Sequence, residues 1–190
     1  MSRSGYTDDC DDPLAEGRWR AAVHRAIQGK RGQAFLREAL SVLDAMPEKR
    51  LIAKDLVVDG HGEYVYGDGW GFYGEPVIVG ADELCDKNGY VKAMGEVCLL
   101  GAVGRSRGLD MTALDPHDSE SVADALNIAD AMAREIVFWN DEGGMSRRVP
   151  IPSTAELRAY IWLPETPERR WSRMRAWVVK QIDNADEVQS

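Results

Sequence analysis

The sequence predicts a mainly α-helical domain: a compact bundle of about five to six helices with a small antiparallel β insertion at about residues 60–94. Two observations predict the helices and a third predicts the insertion. Apolar residues recur at helical spacing in the first 45 residues and again after residue 96. Glycine, proline and asparagine punctuate those stripes at helix-length intervals. Between them, residues 60–95 hold nine of the 18 glycines together with Tyr64, Tyr66, Trp70, Phe72, Tyr73 and Tyr90. That density of glycine is incompatible with a regular helix.

A chain of 190 residues is the size of one domain. It buries roughly 70% of its unfolded surface and needs no disulfide or metal to stay folded. Hydrophobic content of 44% and charged content of 29% exclude global disorder and a disulfide scaffold. No apolar run reaches the roughly 18 to 20 residues of a membrane span. The acidic start, Met1 to Pro13, lacks the basic and apolar regions of a signal peptide. A cytoplasmic protein with no membrane association is therefore expected. Cys10, Cys85 and Cys98, odd in number and widely spaced, suit reduced thiols.

Residues 1–13 read as a flexible acidic tail, and residues 14–183 as a single helical domain. The first helix is expected from about Ala15 to Gln28, with Trp19, Ala22, Val23, Ala26 and Ile27 on one face. Gly29 and Gly32 bracket a turn. A second helix follows from about Gln33 to Ala45, with Phe35, Leu36, Ala39, Leu40 and Leu43 as its stripe, and Pro47 closes it. The short apolar runs at Leu51 and Leu56 are strands or a core-anchored loop. In the insertion, Glu63–Tyr66 and Glu75–Val79 read as strands, and Asn88-Gly89 as a tight turn before Tyr90–Met94. A buried helix is expected from Glu96 to Ser106, stopped by Gly108. Two more follow, Asp118–Ala125 and Ala129–Trp139, separated at Asn127. Residues 144–163 read as a second insertion, a loop with a short helix from Thr154 to Trp162. Thr166-Pro167-Glu168 starts the last helix, which runs to about Ile182 with Trp171, Met174, Trp177 and Val178 inward. Residues 184–190 read as a flexible tail.

The net charge of −9 opposes non-specific binding to DNA or to an anionic membrane. One stretch runs against it. From Gly17 to Arg37 there is no acid but Arg18, Arg20, Arg25, Lys30, Arg31 and Arg37. Arg18, Arg25 and Arg31 are the candidate basic face, read either as a solvated helix surface or as a nucleic-acid contact. Cys98, in the first turn of a helix, is the candidate nucleophile, because a helix N-terminus lowers a thiol pKa. Its apolar flanks favour core packing instead. A base for it would be His24, His61 or His117, none of which lies in a recognisable signature. No C-x-x-C or H-x-x-x-H spacing is present, so neither a metal nor a cofactor is expected. The acidic run at Asp8 to Asp12 lacks the glycine and closing glutamate of a calcium loop. The glycines from Gly67 to Gly74 lack the Lys-Ser/Thr of a phosphate loop. The rhythm of Val122 to Phe138 is that of a helix-turn-helix, but its acids oppose a DNA-reading role. Tyr64, Tyr66, Trp70, Phe72 and Tyr73 form either a small local core or a recognition surface.

Three stretches carry a resemblance. They are Gly29-Lys30-Arg31-Gly32-Gln33-Ala34-Phe35-Leu36-Arg37-Glu38 leading to Pro47–Ile52, then Gly95-Glu96-Val97-Cys98-Leu99-Leu100-Gly101-Ala102, and finally Ile136–Gly143 with Glu165–Trp171. Together they are similar to a group of uncharacterised phage and prophage proteins. That family has no established activity to carry over. The resemblance implies that residues 60–94 and 144–163 are insertions on a shared helical scaffold, where function usually sits. A non-enzymatic accessory protein is expected, one that binds a host or phage protein as a regulator or an inhibitor of host defence.

Overall fold

The computed structural model describes residues 13–53, 55–58, 64–66, 89–91, 95–141, 147–150, 160–163 and 165–189. The first apolar stripe becomes helix α1, Pro13–Gln28, which buries Ala15, Val23 and Ile27. The chain turns sharply at Gly29, and α2 spans Lys30–Ala45. This start is three residues earlier than the expected Gln33. Gly32 is a helical residue rather than a turn residue, because α2 begins directly against the end of α1. A Cβ at Gly32 would lie 2.0 Å from the Ala26 carbonyl oxygen. The Gln33 amide then fastens the corner, donating to the carbonyls of Ile27 (3.0 Å) and Gln181 (3.2 Å).

Residues 51–53 and 55–58 are an irregular segment that buries Leu51, Ile52, Ala53, Leu56 and Val58 and forms no sheet strand. Their one ladder contact is an isolated bridge between Val57 and Val97. Helix α3, Leu99–Ser106, follows; a short 3-10 turn at Met111–Ala113 leads to α4, Ser119–Ala125, and α5, Asp130–Asp141. Asp118 caps α4 by accepting from the Ser121 amide. Asn127 takes a left-handed φ of 52° between α4 and α5, a conformation that asparagine tolerates better than most residues. This lets Leu126 and Ile128 on either side both enter the core. The helix-turn-helix rhythm is thus two helices packed on each other. Thr166 caps the last helix, α6, its hydroxyl accepting from the Arg169 amide. α6 runs Pro167–Gln189, through the region expected as a flexible tail. Ile182 and Ala185 continue its buried stripe, and Asp186 pairs with Arg37 at 2.6 Å.

The described residues are therefore mainly helical, with six α-helices. α2 lies at the centre, packed on α1, α3 and α6, and α5 packs on α1, α3, α4 and α6. Leu36, Ala39 and Leu43 of α2 meet Leu99 and Val103 of α3, Met132 and Ile136 of α5, and Met174 and Val178 of α6 in one core. Two short strand pairs accompany the helices. β1, Tyr64–Tyr66, pairs antiparallel with β2, Gly89–Val91, with Val65 opposite Tyr90. β3, Arg147–Pro150, pairs with β4, Tyr160–Leu163. β4 lies where the end of the Thr154–Trp162 helix was expected. Its Tyr-Ile-Trp sequence is rich in residue types that favour strands. The expected strand Glu75–Val79, the tail before Pro13 and the start of the Thr154 helix lie outside the described residues.

Candidate functional site

α1, α5 and α6 enclose a groove of about 460 Å³. α1 supplies Trp19, Val23 and Ile27 at intervals of four residues, which puts them in one row. Glu135 and Trp139, also four apart, come from α5, and Trp177, Lys180 and Gln181 from α6. Trp139 and Trp177 lean together, ring centroids 6.3 Å apart and planes 31° apart. Glu135 and Trp177 are buried and form the base. Arg134 lies against the Trp19 ring, its guanidinium carbon 4.8 Å from the centroid. The Trp139 indole donates to the Glu135 carboxylate at 2.9 Å. Three indoles and two aliphatic side chains, with a few polar groups at the edge, match the composition and volume of ligand clefts. Each tryptophan was legible as a member of its own helix stripe, but their convergence was not.

The cations of the groove are Arg20 and Lys180, joined by His24. Arg20 is held by an exposed pair with Glu16 at 2.5 Å. Such a pair is weak and easily exchanged. The three arginines singled out from the sequence are not brought together at this groove. Arg18 and Arg25 are exposed but lie on another flank of α1, and Arg18 donates to the Leu14 carbonyl at 3.2 Å. Arg31, on α2, donates to Asn127 at 3.2 Å. Of the five insertion aromatics, Tyr64 and Tyr66 belong to β1. Trp70, Phe72 and Tyr73 lie outside the described residues.

Cys98 is the N-cap of α3 rather than a residue of its first turn, and its sulfur accepts from the Gly101 amide at 3.4 Å. Burial pushes its thiol up to about 12; the Gly101 amide opposes the shift and Asp141 adds to it. Desolvation thus outweighs the helix terminus, and the thiol stays protonated near neutral pH. His24 and His117 are both exposed, whereas Cys98 is buried. In peptide-resolved thiol labelling, Cys98 is expected to stay unmodified in the native chain and to react fully in guanidinium. Native labelling at the rate of a free thiol would contradict this placement.

A cluster of buried polar side chains joins α5, α6 and the 51–58 segment. Arg170 is 8% exposed. It donates to the carbonyls of Asn140 and Leu51, both at 3.0 Å. Arg173 grips Glu165 through two hydrogen bonds of 2.7 and 2.6 Å and also donates to the Trp139 carbonyl. Asn140 donates to the Ile52 carbonyl at 2.7 Å. Two cations thereby satisfy carbonyls at the C-terminal end of α5, where the helix dipole favours positive charge. Burial lowers the Arg170 pKa and Glu165 opposes that shift, so the guanidinium remains charged. Elsewhere Arg107 grips Glu38 at 2.8 and 2.6 Å, which holds that carboxyl below its ordinary range. Arg175 pairs with Asp44 at 2.5 Å. Of the cations of α6, Arg170 and Arg173 are thus tied to the end of α5 and to Glu165, Arg175 is held in an exposed pair, and Arg169 and Lys180 stay exposed.

Among the described residues no group of His, Cys, Asp and Glu could hold a metal ion, and no helix is long and apolar enough to cross a membrane. No family model, no curated protein and no solved structure matches the chain.

Proposed function

We propose that this chain is a non-enzymatic accessory protein of phage or prophage origin that acts by binding another protein, as a regulator or an inhibitor of host defence. The observation that carries this reading is the groove between α1, α5 and α6. Its three tryptophans are of the residue type most enriched at binding hot spots. The resemblance of the Gly29, Gly95 and Ile136 stretches to phage proteins supports the origin. The buried, protonated Cys98 supports binding over nucleophilic catalysis. On this reading residues 60–94 form a small β insertion that adds Tyr64, Tyr66, Trp70, Phe72 and Tyr73 to the binding surface. The site of action is the cytoplasm of a bacterial host.

The test is affinity capture from bacterial lysate with the full chain, with Trp19→Ala, and with residues 60–94 replaced by a short linker. A protein retained by the full chain and lost from at least one variant is the expected result. An identical set of proteins on all three, or none on any, would count against protein binding.

A further inference from the structure

We infer that the groove between α1, α5 and α6 is the docking site for an acidic amphipathic helix of the partner protein. The inference rests on the protein-binding reading and adds the chemistry of what is bound. Length is the first argument. From Trp19 to Gln28 the lining runs along α1 for about 14 Å at a rise of roughly 1.5 Å per residue. A helix that docks through residues i, i+4 and i+7 needs about 10 Å. The second argument is the sequence of surfaces across the groove. Val23, Ile27 and the indoles of Trp19, Trp139 and Trp177 offer an apolar bed for such anchors. Arg20 and His24 on α1 and Lys180 on α6 line the same groove, and can meet the flanks of a docked helix.

Charge is the third argument. The molecule carries −9 overall, yet the edges of this groove are cationic, with Glu135 at the base and Glu16 on Arg20 as the neighbouring acids. Carboxylates on the incoming helix replace Glu16 on Arg20 and meet Lys180, while the net charge turns away acidic ligands elsewhere on the surface. A nucleic acid fits less well. Two edge cations neutralise few phosphates, and Val23 and Ile27 offer nothing to a sugar-phosphate chain.

The full chain would be titrated, with tryptophan emission as the readout, against three probes. These are a synthetic helical peptide with leucines at i, i+4 and i+7 and glutamates on its flanks, the same peptide with lysines for glutamates, and a single-stranded DNA oligonucleotide. The expected result is a saturable emission change with the glutamate peptide alone, weakening as salt rises. Lys180→Glu, at an exposed position, is expected to weaken it on the order of tenfold. Val23→Glu should abolish it, with circular dichroism checking that this variant is folded. Equal or tighter binding of the lysine peptide or the DNA, or no saturable change with the glutamate peptide, would overturn the acidic helix. Val23→Glu and Lys180→Glu would also be run in the lysate capture. A partner that either variant loses, while the glutamate peptide fails to bind, removes this inference and leaves protein binding standing.

Discussion

Gly101→Ala is expected to destabilise the protein by about 3 kcal/mol or more, at the upper end of what an added methyl group does in a packed core. A Cβ there would sit 1.8 Å from the Leu56 carbonyl oxygen and 2.8 Å from its carbon. The obstacle is backbone, and that backbone is tied, since the Cys98 amide donates to the same oxygen at 3.2 Å. Neither side can yield without breaking the α3 start away from the 51–58 segment. Two other glycines calibrate the effect. Gly104→Ala meets the buried but flexible Met111 side chain, Sδ at 2.0 Å and Cγ at 2.6 Å, which yields at smaller cost than tied backbone. Gly17→Ala meets nothing within 4 Å in the middle of α1 and is expected to stabilise by roughly 0.5–1 kcal/mol. Thermal melts of the three variants test the order. A Gly101→Ala melting temperature within a degree or so of the parent would refute the contact.

The second large effect is expected at Arg170. Arg170→Met removes the donors that satisfy Leu51 and Asn140 and leaves Glu165 to Arg173 alone. Breaking one member of a buried charged network costs about 3–5 kcal/mol. Arg170→Lys should recover little of it, because one ammonium cannot reproduce the guanidinium fork that spans both carbonyls. The neighbouring exposed Arg169→Ala is expected to fall within about 0.5 kcal/mol of the parent. Urea unfolding of the three variants measures this. Equal midpoints for Arg169→Ala and Arg170→Met would show that the buried arginine contributes no more than a surface one.

These two positions mark where sequence reasoning stops. Helices α1 and α2 were legible because Val23, Ile27, Leu36 and Leu43 follow a helical period that packing then uses directly. The start of α6 was legible in Thr166-Pro167, since capping is local chemistry. Nothing in the sequence sets Arg170 and Arg173 apart from the other basic residues of the last helix. Their acceptors on residues 51, 139 and 140 come from segments distant in the chain, and no local pattern announces them. Gly32 and Gly101 follow the same rule, both being close approaches of a helix to neighbouring backbone. Glycine signals a turn or a close approach, and only the neighbouring backbone decides between them. The groove was hidden for a related reason. Trp19, Trp139 and Trp177 each showed an inward face, but their meeting in one groove depends on the angles at which α1, α5 and α6 pack. The period of a stripe contains nothing about those angles.

The 51–58 segment has a consequence for the length of the stretch that follows it. The Gly95 amide donates to the Val58 carbonyl and the Val58 amide to the Glu96 carbonyl, both at 2.9 Å. The two ends of the excursion between them are thus clasped together by the scaffold itself. A long excursion adds little closing entropy when its ends are already held. A change in the number of residues between Val58 and Gly95 therefore costs the scaffold little in closure entropy.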